Sequence, residues 1–317
     1  MATTREATRL DQVRMAFARA AAEFAERGVV AQRAADELLD RLQVIRRQPE
    51  VILDIGAGTG RMTRALSERY PQADVIALDA SPEMLRRWSS AESSRGQPDA
   101  DSLWTRLASA VSGSRTEATD STPRRVLGDA TRLPIADASV DFVVSNLTLT
   151  CCDPEQFMIE VARVLRPGGV IMFTTLGPDT LKELSEAWGQ VGEGARVAPF
   201  IDMHDLGDIM VRAGLADPVV DMEMLTLTHR HVADLWADLR GGGSRNLHPD
   251  RPRTLTGRRT FERLVKTLES SRDSAGLLRT TVELVHGHAF APDPVPDDSS
   301  GSGKTTLEVH FQPQKTP

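Results

Sequence analysis

The residues best suited to chemistry begin with DIGAGTG, 54–60, where Gly56, Gly58 and Gly60 alternate directly after an apolar run, VILDI, 51–55. Glycine turns tightly and lets the backbone approach a ligand closely. A ligand-free strand-to-helix turn would use the same residues. A pyrophosphate-binding loop is a sharper alternative, but its GxGxxG pattern needs a third glycine where this chain has Arg61. Asp79 closes a second apolar run, 25 residues beyond Asp54. A carboxylate there can accept both hydroxyls of a ribose, although a helix-capping or solvated aspartate is the plain alternative. Gly128-Asp129-Ala130 supplies a third point: Asp129 can accept from an adenine amino group, and Ala130 leaves room for the ring. Asn146 ends a further apolar run, where an asparagine can serve as a strand-end cap.

These residues need a frame. Short apolar runs at 51–55, 74–78, 140–146 and 170–176 read as buried strands, with another starting in RRVLGDA, 124–130. Helical patterns fall at 61–70, from Pro82 with Ser81 as N-cap, and at 154–166. Alternation of this kind predicts an α/β sheet with helices on both faces. Residues 11–46 read as helical, interrupted at Gly28, within an N-terminal helical cap, 1–48. The main domain spans 49–290, with acceptor-side helices within 178–272: 178–189, 203–213, 229–240 and 258–270. Stretches 217–228 and 279–286 are extended. Residues 89–122, rich in Ser, Ala, Asp and Thr, read as a surface insertion with a short helix at 101–109. A flexible tail, 291–317, begins at Ala291. It contains GSGKTT, 301–306, but a phosphate-binding loop would need glycine where Asp298 stands.

Composition narrows the function. The chain has 317 residues, 40% of them hydrophobic, enough for a sizeable core. A net charge of -7 argues against nucleic acid, and apolar runs are too short for a membrane span. The N-terminus lacks the apolar core of a secretory signal. Arg5, Arg9 and Arg14 fit a mitochondrial leader, but Glu6 and Asp11 count against one. Two adjacent cysteines, Cys151 and Cys152, make no disulfide framework, so a cytoplasmic setting is expected. The seven histidines show no compact ligand pattern, and no metal is expected.

The ordered set of DIGAGTG, Asp79 and GDA resembles the class I S-adenosylmethionine-dependent methyltransferases. That resemblance implies a Rossmann-like, seven-stranded, mostly parallel sheet with an antiparallel last strand. It assigns the donor pocket to Asp54, Gly56, Ala57, Gly58, Gly60, Asp79, Ala80, Met84, Asp129, Ala130 and Asn146. In it, Asp79 holds the ribose, Asp129 and Ala130 flank adenine, and Asn146 sits near the methyl.

A narrower resemblance lies C-terminally, in GPDTLKEL, 177–184, PFIDMHDLGDIMVRAGLADPVVDME, 199–223, the segment at 238–246, LTGR, 255–258, and VELVHGHAF, 282–290. These are similar to the malonyl-[acyl-carrier protein] O-methyltransferases of biotin synthesis. The resemblance implies a malonyl thioester's free carboxylate as acceptor, on a carrier protein with a phosphopantetheine arm or on CoA. Arg245 is the candidate to orient that carboxylate, against a solvated loop arginine. His204 is the candidate to position the acyl group, against a helix-start histidine bonded to Asp205 or Asp208. Arg251, Arg253, Arg258, Arg259, Arg263 and Lys266 could meet an acidic carrier, against an ordinary charged surface. This chain departs from the family pattern at Phe24 and His286, where tyrosines are usual, and at Thr150, where a tryptophan precedes the cysteine. The rival readings are a related protein of the same fold that acts on another acyl acid or on a protein side chain, as an arginine hydroxylase resembling complex I assembly factors would, and a carrier-binding protein without catalysis.

Overall fold

The computed structural model describes residues 2–45, 47–93, 123–192, 196–244, 246, 251–252 and 254–293. Seven strands form one sheet: β1 (Val51–Ile55), β2 (Asp74–Asp79), β3 (Arg124–Leu127), β4 (Val140–Asn146), β5 (Leu165–Leu176), β6 (Ala216–His229) and β7 (Leu278–Phe290). Their order is β3-β2-β1-β4-β5-β7-β6. Pairing from β3 through β5 is parallel, whereas β7 runs antiparallel to both β5 and β6. The expected fold class and its antiparallel last strand are therefore present.

The period-2 pattern of the strands divides the core between two faces. Ile52, Phe142 and Val144 pack beneath helices α3 (Val29–Arg41) and α4 (Arg61–Arg69). Leu53, Ile55 and Val143 point the other way, toward α6 (Pro154–Val164) and α8 (Met203–Arg212). Helix α5 (Pro82–Ser93) lies between β2 and β3 in sequence. A satellite cluster joins α7 (Lys182–Gln190), α9 (Val232–Gly241) and α10 (Arg258–Ser270) to Leu278.

Several boundaries differ from the expectations. The N-terminal pattern divides into α1 (Ala2–Ala20), α2 (Phe24–Arg27), α3 and a 3-10 turn, Leu42–Val44. Gly28 marks one break as expected, while Ala20 to Phe24 marks another. Helix α6 stops at Val164 rather than 166, because Leu165 already pairs with Val140 across a register shift. Helix α5 runs to Ser93, inside the expected insertion, and the helix expected at 101–109 lies outside the described residues. Ala291 does not open a tail. It is buried, its N–H donates to Gly169, and its carbonyl accepts from Gly168. The tail beyond 293, including GSGKTT, lies outside the described residues.

Close packing predicts opposite outcomes at two glycines. An added Cβ at Gly287 would lie 2.2 Å from Cζ of Phe173, a fully buried ring. Gly287→Ala should destabilise by about 1–3 kcal/mol in urea titration. Gly189, in α7, has nothing within 4 Å of that position. Gly189→Ala should be neutral or stabilise by up to ~1 kcal/mol.

Candidate functional site

The carboxyl ends of β1, β2 and β4 converge on the DIGAGTG loop. Gly56, Gly58 and Gly60 all adopt positive φ, at 78°, 56° and 82°. Side chains would be strained there, and the space is also taken at two of the three. A Cβ on Gly56 would lie 1.9 Å from Oγ1 of Thr148, and one on Gly60 would lie 2.6 Å from the ring of Trp88. A Cβ on Gly58 would come into ordinary contact with Cε1 of Phe24, at 3.8 Å, and with the Gly56 carbonyl.

Strand β2 holds this loop in place. The carbonyl of Leu78 accepts from the N–H groups of both Gly56 and Ala57. Asp79 accepts from Gly58 N–H at 2.8 Å on one oxygen and from Ser81 N–H at 2.7 Å on the other. The backbone N–H of Ala80 adds to this set, and with about four lone pairs the carboxylate can still accept a further donor. Burial raises the Asp79 pKa above the usual carboxylate range, against the pull of those backbone N–H groups. Ser81 caps α5 as expected, its hydroxyl accepting from the N–H of the buried Met84. Ala80 contributes its carbonyl to the guanidinium of Arg14 at 3.0 Å.

Asp54 lies deeper, beneath the loop, at 1% exposure. One oxygen accepts the Thr63 hydroxyl, while Oδ1 is buried without a partner. Burial, reinforced by the nearby Asp79, pushes its pKa up to about 7 despite the Thr63 bond. On the far side of β2, β3 stops at Leu127. Asp129 then turns back to accept from the N–H and hydroxyl of Thr131, both at 2.9 Å, and Ala130 is buried.

Asn146 stands at the end of β4 with both ends of its amide engaged. Nδ2 donates to the Ala31 carbonyl at 2.8 Å, and Oδ1 accepts from Thr174 at 2.7 Å. It straps α3 to the carboxyl edge, as the strand-end alternative expects. His204 is 80% exposed at the start of α8, its Nδ1 2.8 Å from Asp202. That is the helix-start arrangement, with Asp202 rather than Asp205 or Asp208 as partner. Arg245 and Arg253 lie outside the described residues.

Several contributors carry little sequence signal. Thr63 meets Asp54 from α4, and Trp88 fills the space left by Gly60. Phe24 reaches the loop from α2. Alternate-glycine spacing marks the loop but says nothing about what packs on it. His286 is 3% exposed on β7 and lies 3.3 Å from Glu37, which has Glu223 beside it. These are the one group of three potential metal ligands among the described residues. Burial and the neighbouring Glu223 raise the Glu37 pKa. Burial lowers that of His286.

The comparisons agree with this geometry. A family model described as a methyltransferase domain matches residues 53–173. The malonyl-[acyl-carrier protein] O-methyltransferase of Laribacter hongkongensis is 38% identical over 300 residues, covering 94% of this chain and 95% of its own length. That of Gallionella capsiferriformans is 39% identical over 300 residues, with coverages of 94% and 96%. Among solved structures, the YcgJ protein of Bacillus subtilis aligns with a TM-score of 0.52 at 17% identity, over 81% of this chain and 99% of its own, a likeness of fold. By its sequence over nearly its whole length, this chain belongs to the malonyl-[acyl-carrier protein] O-methyltransferase family, within the class I S-adenosylmethionine-dependent methyltransferases.

Proposed function

We propose that this chain transfers a methyl group from S-adenosylmethionine to the free carboxylate of a malonyl thioester, on acyl-carrier protein or CoA, early in biotin synthesis. One observation carries the donor half: the Asp54–Gly60 loop joins an orphaned buried carboxylate oxygen on Asp54 to the carboxylate of Asp79, which can still accept a further donor. The acceptor half rests on the family, whose members named above act on malonyl-carrier protein.

The residues suit this donor. Oδ1 of Asp54 can accept from an ammonium at the methionine end. Gly56, Ala57, Gly58 and Gly60 make the floor, Asp79 takes the ribose hydroxyls, and Asp129 with Ala130 and Met84 borders adenine. Bound donor supplies an electrophilic sulfonium methyl, and the acceptor oxygen displaces the thioether in line. A malonyl carboxylate is already ionised near neutrality, so the protein need not provide a strong base. Its work is alignment and exclusion of water. Thr148 and Asn146 border the methyl end, Arg245 orients the malonyl carboxylate, and His204 lies on the acceptor side.

A carrier would meet α10, where Arg258, Arg259, Arg263 and Lys266 are exposed. Leu255, 98% exposed, stands just before it. Arg251 is less available, since it donates to Gln12 at 2.7 Å.

Three outcomes test this reading. Purified protein with labelled S-adenosylmethionine should form a base-labile methyl ester on malonyl-carrier protein or malonyl-CoA, but not on thioesters lacking the free carboxylate. Donor binding without transfer to either would sink the acceptor assignment. The double variant Arg259→Glu with Lys266→Glu should raise KM for malonyl-carrier protein about tenfold and leave that for malonyl-CoA unchanged. An equal effect on both substrates would remove the patch from carrier docking.

The third outcome concerns pH. Folded Asp54 keeps its proton to about pH 7, whereas an unfolded aspartate loses it near 4. The folded state therefore binds the extra proton across that window, and stability falls as pH rises through it. The full loss from this group is on the order of 4 kcal/mol. Thermal unfolding of the donor-free protein should therefore shift down between about pH 4 and 7. Asp54→Asn should flatten that shift and weaken donor binding. An equally steep pH dependence in the variant would reject the role of Asp54.

A further inference from the structure

The chain from Phe17 to Arg27 lies between two glycine-bearing segments. On one side is the donor loop, where Cε1 of Phe24 would lie 3.8 Å from a Cβ on Gly58. On the other is Gly241-Gly242-Gly243, at the end of α9. A Cβ on Gly241 would lie 2.5 Å from Cδ of Arg27, and one on Gly243 would lie 2.5 Å from Cε1 of Phe17. Gly243 also has positive φ, at 75°. Phe17 and Phe24 pack edge to face, their centroids 6.1 Å apart. This segment therefore rests directly on backbone at both sides.

Asp238 fixes its position. Oδ1 accepts from Nη1 of Arg27 at 3.3 Å, and Oδ2 lies 3.2 Å from Nε2 of His229. His229 is buried at the end of β6, a rigid strand end. Arg27 is also held by Glu23 at 3.1 Å, one turn back on its own segment. Asp238 is thus the link from Arg27 to the sheet. Only a carboxylate can accept from a guanidinium on one oxygen and an imidazole N–H on the other. An asparagine of the same shape would turn an NH₂ toward one of these donors.

We propose that Asp238 is a positioning residue for the methyl donor: through Arg27 it holds Phe24 over Gly58, setting an apolar wall against the glycine loop. This rests on the reading of that loop as the donor site. The wall contacts donor before and during transfer alike, so its loss weakens uniform binding and leaves the chemical step unchanged.

Asp238→Asn should raise KM for S-adenosylmethionine about tenfold, the effect of one lost charged hydrogen bond, with kcat at saturating donor within about twofold. A merely structural defect would reduce the active fraction, lowering kcat without moving KM. Phe24→Ala leaves the Asp238 pair intact and should reproduce the KM effect. Adding Asp238→Asn to Phe24→Ala should then change KM little further, because both act through one contact. Calorimetry with S-adenosylhomocysteine on the single variants checks the same loss without turnover. An unchanged KM in Asp238→Asn, or fully additive effects in the double variant, would overturn the proposal. If wild-type protein bound neither S-adenosylmethionine nor S-adenosylhomocysteine, the donor-site reading itself would fall, a distinct result.

Discussion

Two adjacent residues at the end of β2 hold the site together. The carbonyl of Leu78 takes two N–H groups of the glycine loop, and the carboxylate of Asp79 takes a third together with the N–H of Ser81. Backbone N–H groups in a tight turn would otherwise lie buried without partners, at a cost of about 1–3 kcal/mol each. Parallel pairing of β1 with β2 fixes where this happens, because Ile55 is in register with Leu78. The turn after β1 and the start of α5 are thereby locked to one another.

Beneath that lock the protein accepts an unfavourable group. Asp54 is buried with one oxygen unpaired, which raises its pKa to about 7. A core tuned only for stability would replace such a carboxylate with an apolar side chain. Keeping it makes sense where a cationic ligand group arrives to pair with it. The helices around the loop serve the same end. Trp88 and Thr148 stand where a side chain on Gly60 or Gly56 would have to be, and Phe24 lies against Gly58, so ring and hydroxyl contacts bound the loop.

The N-terminal helices are bound to this edge by polar contacts at separate points. Arg14 reaches Ala80, Asn146 reaches Ala31, and Asp238 reaches Arg27. Each of the three crosses from the N-terminal segment to the sheet or to α9. Packing alone would leave such a segment free to slide along the carboxyl edge. Directional bonds to Arg14, Ala31 and Arg27 set its register and place Phe24 rather than a neighbour above Gly58.

Much of this was legible in the chain. Apolar runs of strand length, alternating with helical patterns, dictated a parallel α/β sheet, because strands buried on both faces must be apolar throughout. Alternate glycines before a helix, with carboxylates after two later strands, pointed to the donor site, since strand ends in a parallel sheet share one edge. The long C-terminal likeness identified the family. Local pattern could not show that Leu165 would leave its helix to pair with Val140, or that Ala291 would close the sheet edge. It could not show that Asn146 would spend both ends of its amide on a strap, or that His204 would turn to Asp202. Those outcomes depend on which polar partner lies within about 3 Å once distant segments meet. Residue type and spacing along the chain decided what chemistry was available at the carboxyl edge. Only the packing of α1, α2 and α9 against that edge decided which side chains stand over the glycine loop, because contacts between residues over two hundred positions apart leave no periodic trace in the sequence.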